Sequence, residues 1–425
     1  MKKICIIGLG YVGLPTARIL SLKGFKVIGV DTNSKLVKKL NQVDRGALEP
    51  GLAGLANAAI KLGNFVPQLS PEEADVFMIC VPTPPTDQNK ADLTYVKNAA
   101  KSVLLCLRKG NLVILESTVP PGTTEEILKP ILEKSGLRIG NELHLAYCPE
   151  RVLPGNILKE LVENDRVIGG IDPESAELAK EIYQSFVEGE IYLTDATTAE
   201  MVKLVENSFR DSNIAFANEL SRICDKLNLE IWKVIELANK HPRVNILKPG
   251  PGVGGHCVAV DPFFIVEKAP DEAKLIKTTR RVNDSMPDYI VEKIERAVKQ
   301  AQIKTPIIAC LGITYKAGIG DLRGSPALKI VRRLREKGYT VRACDPYVKD
   351  FTEFPLFSLE ETVDGADCLV LLVDHRKFRE INPHELLKKM RGSVIIDTRG
   401  MWLCNEPTNH RGVEERRHLS SLSSR

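Results

Sequence analysis

Short β-branched runs alternate with helical patterns along this chain, and that alternation limits the fold more than any other feature. "KICIIGLG" is followed by a helix-like stretch over 13–23. "KVIGVD", "ADVFMICVP", "NLVILEST", "LHLAYCP" and "DRVIGG" come next. The pattern predicts a parallel, doubly wound sheet over 1–195. The opening "MKKICIIGLGYVG" has the basic start and apolar run of a signal peptide. The run is short, merges into a glycine motif and has no A-x-A-like cleavage site, so it is read as the first strand.

After Asp195 the pattern changes. Residues 196–228 contain no proline or glycine and keep helical periodicity. A helix of that length bridges domains or builds an oligomer interface. Residues 271–301 also read as helical, with a break predicted at Pro287. A second alternating block begins at "TPIIACLGITYK" and continues through "YTVRACDP", "DCLVLLVD" and "SVIIDTRG". The predicted fold class is therefore α/β, with two Rossmann-like doubly wound domains (1–195 and 301–404) joined by a long-helix linker domain (196–300). The two blocks can be two versions of one architecture. The remainder, 405–425, is polar, rich in Arg and Ser, and expected to be mobile.

Composition narrows the function. The chain has 425 residues, enough for two or three domains, with 43% hydrophobic and 27% charged residues. Net charge is +4 with both signs interspersed, which gives no nucleic-acid footprint but leaves room for a local basic pocket. No apolar run approaches the roughly 20 residues that span a bilayer, so no membrane partner is expected. Ten cysteines include no C-x-x-C pair, and Cys5, Cys80, Cys310 and Cys368 sit inside apolar runs. Reduced thiols, a cytoplasmic location and no metal site follow as expectations.

"GLGYVG" places Gly8, Gly10 and Gly13 in G-x-G-x-x-G spacing around Tyr11 and Val12, after a strand and before a helix. The first glycine suits a tight turn, the second a close backbone approach to a pyrophosphate, the third helix-on-strand packing. Asp31 ends the next strand, 18 residues after Gly13 (31 − 13). Its carboxylate can accept both ribose hydroxyls and would repel a 2′-phosphate, which favours NAD over NADP; FAD shares the fingerprint. Other strand ends carry polar groups where such sheets bind ligands: Val81 and Thr83; Glu116, Ser117 and Thr118; Glu150 and Arg151.

Residues 250–261, "GPGVGGHCVAVD", crowd glycines around Cys257. One reading is a glycine-rich turn with an incidental cysteine. The other is a thiolate nucleophile, with the glycines admitting a ligand closely. A thiol attacking an aldehyde gives a thiohemiacetal that can lose a second hydride, and water then releases an acid. His256 can tune the thiol, and Asp261 either activates water or caps the next segment. On the long helix Lys203, Asn207 and Arg210/Asp211 share one face. The apolar flanks Met201, Val202, Leu204, Val205 and Phe209 predict a buried helix, in which a lysine and an asparagine call for an anionic or oxyanionic ligand.

Taken in order, "GLGYVGLP", "VPTP", "ESTVPPGTT", "CPERVLPG", "ENSFRDSNIAFANEL", "HPRVNILKPGPGVGGHCVAVDP" and "GITYKAGIGDLRGSPA" resemble the UDP-glucose/GDP-mannose dehydrogenase family over about 1–402. The resemblance implies an N-terminal NAD domain, a helical linker that forms a homodimer, and a C-terminal UDP-binding domain. It implies a four-electron oxidation of a UDP-sugar C6 alcohol with two NAD+ and one water. The nucleophile falls on Cys257, the water-orienting aspartate on Asp261, and the oxyanion-stabilising pair on Lys203 and Asn207. Glu150 matches the catalytic-loop glutamate, and Thr118 a threonine near the water and cofactor. Arg243 resembles the arginine supplied across the dimer, Lys316 a UDP-sugar contact, and Arg323 a contact to the NAD pyrophosphate. Arg151, Arg210 and Gly254 complete the implied substrate contacts. "ENSFRD", "HPRVNI" and "GGHC" resemble the UDP-N-acetylmannosamine branch; UDP-N-acetylglucosamine enzymes share much of the pattern, and the UDP-glucose branch more often has serine before the cysteine. A two-electron NAD dehydrogenase needing no thiol, and a non-catalytic nucleotide-sugar-binding protein, are the alternatives.

Overall fold

The computed structural model describes residues 2–42, 64–152 and 157–402, so the 405–425 tail lies outside the described residues. The chain divides into two compact units, Met1–Arg210 with Val260–Lys277, and Asp211–Ala259 with Thr278–Arg425. The first holds β1 (Lys3–Ile7), β2 (Lys26–Val30), β3 (Phe65–Gln68), β4 (Val76–Ile79), β5 (Asn111–Leu115), β6 (Leu143–Tyr147), β7 (Arg166–Gly170) and β8 (Ile191–Asp195) in one sheet of order β3-β2-β1-β4-β5-β6-β7-β8. Along β1, Ile4 and Ile6 enter one core with Leu20 and Met78, while Cys5 and Ile7 enter the other with Phe77 and Ile79. Both faces are covered, so the strand reads as an unbroken apolar run. That N-terminal run is hydrogen-bonded between β2 and β4.

Two strands escape the sequence pattern, and both are sheet edges. β3 contains Pro67, which a central strand would not tolerate. β8 is only half-buried and has no continuous apolar run. The sheet is also not wholly parallel, which corrects the sequence reading: β6 and β7 pair antiparallel through Ala146–Gly170 and Tyr147–Gly169. The described part of the connection carries the helix Ile157–Glu163, whose Ile157 and Leu161 join the core that Ile4 and Ile6 enter. Continuing that register by three residues sets Glu150 opposite Arg166.

The long helix runs Ala196–Leu227 without interruption, and the division between units falls within it. Asp195 caps it, accepting from the Thr198 N–H at 2.8 Å and hydroxyl at 2.6 Å. Asn228, in the left-handed region at φ 54°, follows it. The second long helix, Lys274–Gln300, passes straight through Pro287 where a break was predicted. Proline there withdraws the N–H that would serve the Asn283 carbonyl. That carbonyl lies against Gly252, where a Cβ would stand 2.9 Å away, and the flanking Met286, Ile290 and Val291 are held in the core.

The second unit carries β9 (Ile307–Leu311), β10 (Thr340–Cys344), β11 (Cys368–Leu371) and β12 (Val394–Asp397), all parallel, in order β10-β9-β11-β12. Its sheet repeats the two-faced logic: Ile308 and Cys310 enter one core, Ala309 and Leu311 the other. Among the described residues no helix is long and apolar enough to cross a membrane, and no group of three or more His, Cys, Asp or Glu side chains is placed to hold a metal ion.

Candidate active site

The glycine loop between β1 and the helix Gly13–Leu22 has the form its spacing predicts. Gly8 sits at φ +96°, and a Cβ there would meet the Cys80 carbonyl oxygen at 2.7 Å. A Cβ on Gly13 would overlap the Gly8 carbonyl oxygen at 1.9 Å, so helix and strand touch backbone to backbone. Gly10 is different: nothing lies within 4 Å of its Cβ direction. The helix has Val12 at its N-cap position, no side-chain cap and no acid in its first turn. The Leu14 N–H turns back to the Gly10 carbonyl at 3.3 Å and Pro15 has no N–H, so no side chain competes with an external anion at this end. Tyr11 is exposed beside it. The Asp31 carboxylate accepts from Leu9 N–H at 3.0 Å and Asn33 N–H at 2.8 Å, which places it at the lip of the loop. Open turn, uncapped helix and rim carboxylate fit a dinucleotide such as NAD.

The next strand ends are laced together. Thr83 donates to the Thr118 carbonyl at 2.6 Å, and Ser117 donates to the Val81 carbonyl at 2.7 Å. Beneath them Glu116 is buried and accepts from Cys80 Sγ at 3.0 Å and from the Tyr183 hydroxyl. Burial, then the nearby Glu150 charge, raises the Glu116 carboxyl above its ordinary value. Glu150 is itself buried and ion-paired to Arg166 at 3.2 Å, as the antiparallel register requires. The Arg166 guanidinium stacks over the Tyr183 ring, 5.2 Å from its centroid. Arg151 is committed elsewhere: it forks onto Glu206 of the long helix at 2.6 and 3.1 Å.

Lys203, Asn207 and Asp261 come together in the first unit. Leu204 packs with Phe264 and Ile265, which seats the helix Asp261–Lys268 against the long helix. Val260 takes the N-cap position, so Asp261 is in the first turn and does not cap it. Its buried carboxylate instead accepts from Asn207 Nδ2 at 2.5 Å. Burial pushes Asp261 up to about 6, against the opposing effects of the Lys203 charge and the Asn207 bond. A carboxylate poised there can take a proton near neutrality. The expectation of a buried helix is half corrected: Leu204 is buried, but Val205 and Phe209 are exposed, because the helix carries a second apolar stripe. Arg210 is exposed.

Cys257 belongs to the second unit and is exposed. The glycines around it serve close packing within the chain. Gly254 would place a Cβ 2.6 Å from the Gly324 carbonyl oxygen, and Gly255, at φ +88°, would place one 2.8 Å from the Tyr315 ring. The Gly255 N–H donates to the Arg323 carbonyl at 3.0 Å, and the Gly250 N–H to Asn218 Oδ1 at 2.8 Å. The loop is thus seated on the segment that holds Lys316 and Arg323. Desolvation, then the Arg323 charge, lowers the His256 imidazole, so it is neutral beside the thiol. Arg323 forks onto Asp321 at 2.6 and 3.0 Å, and Arg243 is exposed.

Three buried groups were missed from sequence. Arg166 shows only as a basic residue opening the strand-like "DRVIGG". Tyr183 and Glu200 carry no local signal, since their partners lie 67 to 78 residues away.

Comparison with known proteins gives one answer along the chain. Residues 2–187 match the NAD binding domain of the UDP-glucose/GDP-mannose dehydrogenase family, 197–285 its central domain, and 309–403 its UDP binding domain. The chain is 52% identical to a UDP-N-acetyl-D-mannosamine dehydrogenase of Methanocaldococcus jannaschii, covering 94% of this chain and 92% of that one. It is 48% identical to an NDP-N-acetyl-D-galactosaminuronic acid dehydrogenase of Ralstonia solanacearum, covering 94% and 96%. The solved UDP-D-ManNAc dehydrogenase of Pyrococcus horikoshii superposes with TM-score 0.88 at 43% identity, covering 94% of this chain and 96% of that one. The chain belongs, as its ordered motifs implied, to the UDP-glucose/GDP-mannose dehydrogenase family of NAD-dependent oxidoreductases.

Proposed function

We propose that the chain oxidises UDP-N-acetyl-D-mannosamine at C6 to UDP-N-acetyl-D-mannosaminuronate. The observation that carries the reading is the buried Asp261, held by Asn207 beside Lys203, in a chain 52% identical to an enzyme of that name. The Gly8–Gly13 loop and Asp31 would hold NAD+, which would supply the hydride acceptor for each of two oxidations. Lys203 and Asn207 stabilise the oxygen as it gains charge. The Cys257 thiolate adds to the C6 aldehyde, forming a carbon–sulfur bond and a thiohemiacetal. After the second oxidation the adduct is a thioester. Asp261, with Thr118, takes a proton from water as that water attacks the carbonyl; the acid leaves and the thiol is restored. One alcohol, two NAD+ and one water become one carboxylate, two NADH and three protons. Cys257 is four residues from Asp261, so the chain limits their Cα atoms to about 14 Å at full stretch.

The domain roles follow: 1–195 for NAD, 196–300 for linkage and the cysteine loop, and 301–404 for the UDP moiety, with Lys316 and Arg323 on its first loop. The acting unit is a homodimer. Phe209, Phe216 and Ile223 recur every seven residues on the long helix and are exposed, a spacing that suits a second copy of the same helix. Arg243 is then available to the partner's substrate. A second reading, another N-acetylated UDP-hexose, is supported by the 48% identity to the galactosaminuronic acid enzyme.

The test is a panel of UDP-sugars with NAD+, following NADH and product mass. Two NADH per acid, fastest with UDP-N-acetyl-D-mannosamine, is expected, from a species of twice 47.1 kDa. Cys257→Ser is expected to abolish acid formation. One NADH with a free aldehyde would sink the mechanism, preference for another hexose only the sugar, and a monomeric active species the dimer.

A further inference from the structure

Glu200 is a fully buried carboxylate, three residues before Lys203, that the reaction above does not use. Its three hydrogen bonds all reach one loop. Oε2 accepts from the Gly122 N–H at 2.5 Å, and Oε1 accepts from the Thr124 N–H at 2.8 Å and the Thr124 hydroxyl at 2.6 Å. Thr118 lies four residues before Gly122 on that loop, and its carbonyl is held by Thr83 at 2.6 Å. The loop is therefore pinned at one end to the cofactor side and at the other to the long helix. On that helix Glu200, Lys203 and Asn207 are spaced to share a face.

We infer that Glu200 is a positioning residue: its carboxylate fixes the Ser117–Thr124 loop, and with it Thr118, against the helix face that carries Lys203 and Asn207. This rests on the roles proposed above for those three residues. The donor count explains why a carboxylate is needed. Both oxygens face backbone N–H groups, so both must accept. Protonation turns one oxygen into a donor. The Thr124 hydroxyl can reverse and accept, but a backbone N–H cannot, and a protonated carboxyl oxygen is a poor acceptor, so one backbone bond is weakened.

Burial raises Glu200 to about 7, although the Thr124 and Gly122 bonds and the Lys268 charge pull the other way. The charged and titratable groups around it are Lys268, itself paired to Glu126 at 2.7 Å, and the buried Tyr147 phenol. Tyr147 is held well above its ordinary value, by burial first and then by the Glu200 and Asp261 charges, and stays neutral. The sign follows: above about 7 the loop is fully held, and grip is lost as pH falls through that value. Glu200→Gln reproduces the protonated pattern permanently with almost the same shape.

The experiment compares wild type, Glu200→Gln and Glu200→Asp in turnover of UDP-N-acetyl-D-mannosamine with NAD+, across about two pH units either side of neutrality, with melting temperatures alongside. Glu200→Gln is expected to lower kcat about tenfold, to change the UDP-sugar KM less than about twofold, and to lack the acid limb near neutrality. Glu200→Asp keeps two acceptors and is expected to restore that limb at reduced rate. Any limb from Asp261 is common to all three proteins and drops out of the comparison. An unchanged kcat and limb in Glu200→Gln overturns the inference. So does a loss that follows the melting temperature and is no better in Glu200→Asp. Wild type failing along with both variants would sink the parent reading and this inference together.

Discussion

The two nucleotide-type domains begin alike and then diverge. In the first, β1 ends at Gly8, in the left-handed region at φ +96°, whose N–H donates to the Val30 carbonyl at 2.8 Å. In the second, β9 ends at Gly312, at φ +87°, whose N–H donates to the Cys344 carbonyl at the same 2.8 Å. In both, an aspartate at the end of the neighbouring strand gathers the loop. Asp31 accepts from Leu9 and Asn33 N–H groups; Asp345 accepts from Ile313, Thr314 and Tyr347 N–H groups. The next step separates them. The first loop turns at once into an uncapped helix. The second inserts 313–325 before a helix that Ser325 caps, and Asp345 is closed off by the buried His375 at 3.0 Å. A single architecture thus leaves its helix terminus open to an anion in one copy and satisfies it internally in the other. The second copy's longer loop becomes a platform, carrying Lys316, Arg323 and the seat of the cysteine loop.

The largest expected effect tests the platform. Gly255→Ala would push a methyl group into the Tyr315 ring from a left-handed backbone position, displacing Cys257. Turnover is expected to fall about 100-fold, with a much smaller change in NAD+ KM. Gly10→Ala, where nothing lies within 4 Å, should do the reverse: NAD+ KM rises while the melting temperature holds. Equal effects of the two changes on NAD+ KM would erase the distinction. A middle-sized effect tests the aspartates. Asp31→Asn is expected to raise NAD+ KM about tenfold and relax rejection of NADP+, whereas Asp345→Asn should lower the melting temperature and leave NAD+ KM alone. The smallest concerns the caps. Ser325→Ala removes a cap worth about 1 kcal/mol, read as a shift in denaturation midpoint with kcat/KM retained. A loss of UDP-sugar affinity instead would show that the second terminus also serves ligand.

Much of this was legible in advance for physical reasons. The buried parallel strands write themselves as apolar runs, and the glycine spacing reports backbone contacts that tolerate no Cβ. Lys203 and Asn207 stand one helical turn apart, so local periodicity finds them. What escaped depends on distant partners or on edges. Arg166 and Glu200 are explained by groups far along the chain, and β3 and β8 lack the two-sided burial that marks a central strand. Pro287 misled because local chemistry says stop, while Met286 and Ile290 in the core keep the helix going. The glycines near Cys257 were open to two readings, an ordinary turn or close approach of a ligand, and the structure adds a packing reason for Gly254 and Gly255, whose Cβ directions are filled by Tyr315, Gly324 and Pro326.

The distribution of sulfur has a consequence for chemical vulnerability. Of the nine cysteines among the described residues, Cys257 alone is exposed; seven are buried and Cys106 is intermediate. Burial pushes Cys5, Cys148, Cys344 and Cys368 each to about 12, so they stay protonated and shielded. Among the described cysteines, a peroxide or a soft electrophile is therefore steered first to Cys257. The exposure that suits the nucleophile proposed for Cys257 also leaves that thiol open to being silenced in a single oxidative event, while the seven buried cysteines among the described residues stay shielded.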